Sequence, residues 1–393
     1  MPKHNFDEII DRRGTGAIKT DVLKERYGRE DLISLWVADM DFLSPPAVQE
    51  AIIERAQHAI FGYTHPKQSY YDAIINWVER NHDWKIEQEW LSYIPGIVKG
   101  IAFVIDCFIA RDQKVIIQPP VYHPFRIIPT MHHRTVVDNQ LILEAGQYKM
   151  DLKGLQKAID LQCKLLILCN PHNPGGRVWT RQELADIAEI CYDNNILVIS
   201  DEIHCDLTHE NNKHIPFATV SEKAAQNSIT FMAPSKTFNI AGIVSSYSII
   251  PNKALRDKFH AYLVSSELNE GHVFVYPATE AAYNRGEEWL SEAKDYIWKN
   301  IFFVDEYMKQ HIPQIKVMKP EASFLIWLDC KALKLSQADL VSLFVNDAKL
   351  ALNDGMMFGA GGEGYMRMNV GTPRSIIEKA LNNLKKAVEA KQI

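Results

Sequence analysis

Short apolar runs recur along this chain, each followed by an amphipathic stretch, and that alternation constrains the fold more than any other feature. The runs are KVIIQ (114–118), KLLILCN (164–170), ILVISDE (196–202), SITFMA (228–233) and SSYSII (245–250). Uninterrupted apolar runs of this length suit strands covered on both faces, as in a parallel sheet sandwiched by helices. Between them, RQELADIAEICYDNN (181–195) places Leu184, Ile187, Ala188 and Cys191 at helical spacing. Thr180, with Glu183 three residues on, is a capping-box start for that helix. Strand–helix alternation predicts an α/β core over roughly residues 50 to 285.

The texture changes after about residue 290. A long helical segment (291–310) leads to FLIWLD (324–329), KLALND (349–354) and YMRMNV (365–370). A last helix is expected to open at Thr372-Pro373, a cap followed by proline at the first helical position. We expect an arm at 1–48 that could belong to either unit, a large α/β domain at 49–288 and a smaller α+β domain at 289–393.

Composition narrows the function. With 43 Lys+Arg against 49 Asp+Glu and a net charge of −6, no basic tract favours a nucleic-acid partner. The six cysteines (Cys107, Cys163, Cys169, Cys191, Cys205, Cys330) form no C-x-x-C pair. They read as buried, reduced thiols of a cytoplasmic protein. The start MPKHNFDEIIDRR has no apolar core for a secretory signal. The apolar stretch 97–110 carries Lys99 and Asp106 and is too short to span a bilayer. Small metabolites are the expected partners.

In an open parallel sheet, ligands bind beyond the carboxyl ends of the strands. Those ends are where this chain concentrates its unusual residues. Asn173 follows one strand, Asp201 and His204 another, Ser235 and Lys236 a third, and Tyr122 a fourth. Pro95-Gly96-Ile97-Val98 follows the short run 91–94 and opens a helix that continues to Phe108, the kind of start that binds phosphate through backbone N–H groups. Such a set suits pyridoxal 5'-phosphate: an amine for its aldehyde, a carboxylate for its ring nitrogen, an amide and an imidazole for its phenolic oxygen, and an aromatic face to stack on it.

Seven segments, in order, carry a family resemblance over nearly the whole chain: LWVADMDF (35–42), FGYTHP (61–66), PPVYHPF (119–125), CNPHNPGGRVWT (169–180), ISDEIHCD (199–206), APSKTFNIAG (233–242) and MRMNVGTPR (366–374). The chain resembles the fold-type I pyridoxal-phosphate enzymes of the class I/II aminotransferase superfamily, closest to the branch of cystathionine β-lyase-like C–S lyases. The resemblance implies an aspartate-aminotransferase-like fold, with a mostly parallel seven-stranded sheet, a smaller α+β domain and a homodimer with shared active sites. It implies that Lys236 holds the cofactor as a Schiff base and Asp201 faces the pyridine nitrogen. Asn173, and His204 where aminotransferases commonly have tyrosine, would sit by the phenolic oxygen, with Tyr122 stacked on the ring. Gly96, Ile97 and Ser235 would hold the phosphate, joined by Tyr63 of the neighbouring subunit. Arg367 would clamp the substrate α-carboxylate by a two-point contact.

The family pattern is broken at two positions: Ala233 and Val244 stand where many aminotransferases place a phosphate-binding serine and arginine. That shifts phosphate binding toward backbone N–H groups and hydroxyls, and fits the lyase branch better. Plainer readings stand beside the functional ones. Lys236 could be a solvated lysine, Asp201 a helix cap, Asn173 a turn residue, Tyr122 core and Arg367 half of an internal salt bridge. His204, His209 and His214 match no common zinc spacing, so no metal is expected. The His132-His133 pair reads as a solvated turn, and Arg374 as a structural anchor.

The expected reaction is β-elimination from L-cystathionine or a related cysteine S-conjugate, giving a thiol, pyruvate and ammonia. An aminotransferase, which needs the same residues as far as removal of the Cα proton, is the alternative. A cofactor-binding regulatory protein without turnover is a remote third, against which Lys236 and Arg367 both count.

Overall fold

The computed structural model describes residues 3–392; Met1, Pro2 and Ile393, which close the expected outer segments, lie outside the described residues. Its centre is a seven-stranded sheet of β1 (Leu91–Ile94), β2 (Lys114–Ile117), β3 (Thr135–Asp138), β4 (Cys163–Cys169), β5 (Leu197–Asp201), β6 (Ser228–Met232) and β7 (Ser246–Ile249). The spatial order is β1-β7-β6-β5-β4-β2-β3. Only β7 runs against its neighbours, pairing antiparallel with both β1 and β6. All five predicted runs are strands of this sheet. The edge strand β3 escaped the sequence reading because TVVD is short and half-exposed, so it lacks the continuous apolar run that marks its neighbours.

Helices cover both faces, as the two-sided burial of β4, β5 and β6 demands. Helix Arg181–Asp193 buries Leu184, Ile187, Ala188 and Cys191, the four residues whose spacing predicted its inner face. Its capping box is complete: Thr180 Oγ1 accepts the Glu183 N–H, and Glu183 accepts the Thr180 N–H at 2.8 Å. Such a cap contributes about 1 kcal/mol.

The second part of the chain is a long helix, Glu287–His311, followed by a four-stranded sheet. Its strands are β8 (Lys316–Met318), β9 (Leu325–Asp329), β10 (Asn353–Asp354) and β11 (Tyr365–Asn369), in the order β8-β9-β11-β10. The closing helix, Arg374–Lys391, starts one residue later than expected. Pro373 is its N-cap, and Thr372 Oγ1 is buried without a partner rather than capping. Asn300 instead takes up the Val370 and Thr372 carbonyls and accepts from Arg374 Nε at 2.8 Å, so Arg374 is the structural anchor expected of it.

The N-terminal arm joins this second part: Ile33 and Ser34 pair in parallel with Leu350 and Ala351. From there residues 35–42 cross to the large sheet under two asparagines. Asn369 Nδ2 donates to the carbonyls of Val37 and Asp39, both at 2.6 Å, and Asn239 binds the backbone of Met40 and Phe42. The six cysteines are free thiols, all buried except the half-buried Cys107. No helix among the described residues is long and apolar enough to cross a membrane.

Candidate functional site

Residues from five strand ends converge on one cavity of about 320 Å³ at the carboxyl edge of the parallel strands. Gly96, Ile97, Tyr122, Asn173, Asp201, His204, Ser235 and Lys236 all line it. The parallel strands place them there, because each chain segment leaves the sheet at the same edge.

Lys236 sits in a single helical turn, Pro234–Thr237, directly after β6. That turn is pinned from below: Thr237 Oγ1 donates to Asp206 Oδ2 at 2.7 Å, while Trp77 Nε1 and His82 Nε2 hold Asp206 Oδ1 at 3.0 and 2.9 Å. The Lys236 amine donates to the carbonyl of Ala38, inside the crossing segment that Asn369 and Asn239 fix. Burial lowers the pKa of this amine to about 8, against the opposing pull of the Asp39 and Asp201 carboxylates. Burial therefore favours the uncharged amine more than in an exposed lysine.

Asp201 closes β5, across from Cys169 at the end of β4. Burial raises its pKa to about 7, with the Glu202 charge adding to the effect and the Ile203 N–H opposing it. That N–H, at 3.1 Å, is its one recorded hydrogen bond among the described residues. A buried carboxyl so thinly satisfied is poised to meet a cationic or N–H group from a ligand. His204 is buried, its Nδ1 has no partner, and burial with the nearby Lys236 and Arg367 charges lowers its pKa to about 3. It is a neutral imidazole with an unused polar atom.

Gly96 is the N-cap of helix Ile97–Phe108 with φ of +107°, a conformation that favours glycine. Gly96, Ile97 and Val98 at the start of that helix line the cavity, and helix starts carry unpaired N–H groups suited to anions. Tyr122 is part-buried beside them, edge-on to His123 at 5.1 Å. Asn173 is placed by its own N–H on Cys169 Sγ at 3.3 Å, and its loop is tied down where Gly176 O accepts from Glu321 and Ala322.

Arg367, on β11, is buried behind Asn173 rather than on the cavity wall. Its terminal nitrogens donate to Asn173 Oδ1 (3.0 Å), Trp36 O (3.1 Å) and Asn353 Oδ1 (2.6 Å), leaving Nε buried without a partner. Among the described residues no carboxylate is hydrogen-bonded to it, which tells against the internal salt-bridge reading. Nε–H is thus left over while the terminal nitrogens are held by two asparagines and a backbone carbonyl.

Tyr63 is not part of this assembly; it is fully exposed on the loop before helix Gln68–His82. The three histidines considered for a metal also part company: His204 lines the cavity, His209 meets the Ser323 carbonyl, and His214 meets Glu202 at 2.6 Å. Among the described residues, His82, Cys205 and Asp206 do come close enough to share an ion, but the Asp206 oxygens are already taken by three donors. His132 pairs with Asp106 at the turn where it was expected to be solvated.

The sequence reading missed Ala38, Lys99, Cys169 and Ser246, which also line the cavity. Ser246 is the instructive case. It begins a strand rather than ending one, and reaches the ligand edge because β7 is reversed.

The aminotransferase class I and II family model matches residues 30–384. Cystathionine beta-lyase PatB of Bacillus subtilis is 41% identical over 385 residues, covering 98% of this chain and 100% of PatB. Protein MalY of Escherichia coli is 31% identical, covering 98% of this chain and 99% of MalY. Among solved structures, a pyridoxal-phosphate-bound putative aminotransferase from Clostridium difficile superposes with a TM-score of 0.96 at 41% identity, covering 98% of this chain and 100% of the other. Cystalysin from Treponema denticola, which contains pyridoxal 5'-phosphate, superposes at 0.95 with 32% identity and covers 99% of each chain. A reversed strand in a parallel seven-stranded sheet, a buried lysine and aspartate at its carboxyl edge, and a match over nine-tenths of the length agree: the chain belongs to the class I and II aminotransferase family.

Proposed function

We propose that this protein is a pyridoxal-phosphate-dependent carbon–sulfur β-lyase that converts L-cystathionine or a related cysteine S-conjugate to a thiol, pyruvate and ammonia. The observation that carries the reading is the meeting of Lys236 and Asp201 in one cavity, with an amine shifted down to about 8 and a carboxyl shifted up to about 7. The names of the relatives, cystathionine beta-lyase PatB among them, supply the leaving group.

When bound, the cofactor supplies an aldehyde that condenses with amines and a ring that accepts the electron pair left at Cα. The residues fit it. Lys236 offers the amine, and Asp201 offers a buried acceptor for a protonated ring nitrogen. His204 and Asn173 offer polar atoms for the phenolic oxygen, and Tyr122 offers an aromatic face. The helix start at Gly96 and Ile97, with Ser235, offers donors for the phosphate.

In the reaction, Lys236 as a free amine takes the proton from the substrate Cα. Arg367 holds the α-carboxylate through Nε–H, which orients that proton toward the lysine. Thiolate leaves readily, and no dedicated acid is assigned to it. We further assign the protein to the cytoplasm, where free thiols stay reduced. We also assign it a homodimer in which Tyr63 of one copy completes the phosphate site of the other. On the expected division at 1–48, 49–288 and 289–393, the cavity is lined by the large domain and Ala38 of the arm, and the smaller domain reaches it through Arg367 behind Asn173.

Incubation of the holoenzyme with L-cystathionine tests the reading. Release of pyruvate and thiol without an added 2-oxo acid is expected. Amino transfer to a 2-oxo acid with no pyruvate formed would reject it in favour of the aminotransferase.

A further inference from the structure

Resting on the cofactor reading above, we infer that Lys99 supplies the positive charge for the cofactor phosphate, at a site that otherwise offers backbone N–H groups and hydroxyls.

The resemblance assigns the phosphate to Gly96, Ile97, Ser235 and Tyr63, and none of these carries a charge. A phosphate monoester bears about −1.5 to −2 at neutral pH, and a cation beside it makes a stronger contact than a neutral donor does. Ala233 and Val244 stand where many aminotransferases place a serine and an arginine for this group. Val244 faces the start of helix Ile97–Phe108: its Cγ1 lies 3.6 Å from the position a Cβ on Gly96 would take. Valine fills that space and brings no charge to it.

The helix start is itself arranged for an anion. It has no side-chain N-cap and no acid in its first turn, the two usual answers to unpaired N–H groups. The first turn carries Lys99 instead, and a cation at the positive end of a helix is unfavourable unless an anion lies close by. Lys99 is exposed and, among the described residues, makes no hydrogen bond or ion pair. Its helical neighbours Pro95, Ala102 and Phe103 offer it no acid. Asp106, the one acid of this helix, pairs with His132 and Arg134.

Lys99 nevertheless lines the cavity, beside Gly96, Ile97 and Val98. The other basic groups there have other work. Lys236 is committed to the aldehyde, and burial keeps His204 neutral, with a pKa of about 3. Arg367 is engaged behind Asn173. Among the described residues lining the cavity, Lys99 is therefore the one cation left for the phosphate, and it stands on the turn whose N–H groups are unpaired.

The test measures binding of two cofactor forms to the full-length protein stripped of cofactor, by equilibrium dialysis and absorbance. One is pyridoxal 5'-phosphate; the other is pyridoxal, which has the same ring and aldehyde but no phosphate. Neither measurement requires turnover, so a failure here is distinct from a failure of the lyase assay. Lys99→Met is expected to weaken pyridoxal 5'-phosphate about tenfold and to leave pyridoxal within about twofold. Lys99→Arg, which keeps the charge, is expected to hold both forms within about threefold of wild type. An equal loss for both forms, or no loss of pyridoxal 5'-phosphate affinity in Lys99→Met, overturns the assignment and leaves Lys99 a solvated lysine.

Discussion

Arg367 and Asn173 lie 194 residues apart in the chain, yet Arg367 Nη1 donates to Asn173 Oδ1 at 3.0 Å. The bond joins the group proposed for the substrate carboxylate to the one proposed for the cofactor oxygen. Arg367→Ala leaves a substrate carboxylate in a buried site without its cation, a loss of about 2–5 kcal/mol. The expected fall in kcat/KM is roughly 30-fold to several thousand-fold, and steady-state assays with L-cystathionine measure it. Asn173→Ala is expected to lower cofactor affinity as well as raise KM, which Arg367→Ala does not share.

Lys236→Ala removes the amine that faces Ala38 O and Asp201. Borohydride reduction followed by peptide mapping is expected to find the cofactor fixed at position 236 in the wild-type protein and nowhere in the variant. Loss of the proton acceptor is expected to lower kcat by about 10²- to 10⁴-fold.

Thr237 connects the Lys236 turn to Asp206. Burial alone would raise the Asp206 pKa, but hydrogen bonds from His82, Thr237 and Trp77 hold it below the ordinary carboxylate value. Thr237→Val strips one donor and leaves that carboxylate short of a partner, at a cost of about 1–3 kcal/mol in stability. A lower thermal midpoint and a displaced pH midpoint of the cofactor absorbance are expected, with Thr237→Ser restoring both. An unchanged absorbance profile would confine the bond to a structural role.

The raised pKa of Asp201 makes a prediction for the cofactor-free protein. Between the ordinary value of 3.8 and about 7 the folded state holds a proton that the unfolded state has released, so stability falls as pH rises through that window. Asp201→Asn removes the effect. The apo variant is expected to melt several degrees above apo wild type at pH 8, with the gap closing toward pH 4. Differential scanning calorimetry at the two pH values checks it.

The Tyr63 assignment depends on a second copy. Light scattering is expected to give a dimer. Mixing inactive Lys236→Ala with Tyr63→Ala after gentle dissociation is expected to give activity above either alone, since hybrid dimers contain one intact site. No gain on mixing would leave Tyr63 outside the active site.

Much of this protein is legible along the chain, for a local reason. The five apolar runs became strands because a strand buried on both faces must be continuously apolar, and helix Arg181–Asp193 buried the four residues its spacing named. Lys236, Asp201, Asn173 and Tyr122, named from the sequence, line one cavity because each follows directly on a strand end of the parallel sheet. TVVD was too short and exposed to be read, and Thr372 has the cap residue type but not the cap geometry.

What the sequence determined by itself is thus the order of the elements and the kind of chemistry at each strand end, because both are written in neighbouring residues. Which groups meet was decided only by the tertiary structure. The reversal of β7 brings Ser246 to the ligand edge, the crossing segment sets Ala38 against Lys236, and β11 carries Arg367 under Asn173. The pKa values of Lys236 and Asp201 belong to the same level: they follow from loss of water around both groups, and burial is a property of the whole packed molecule.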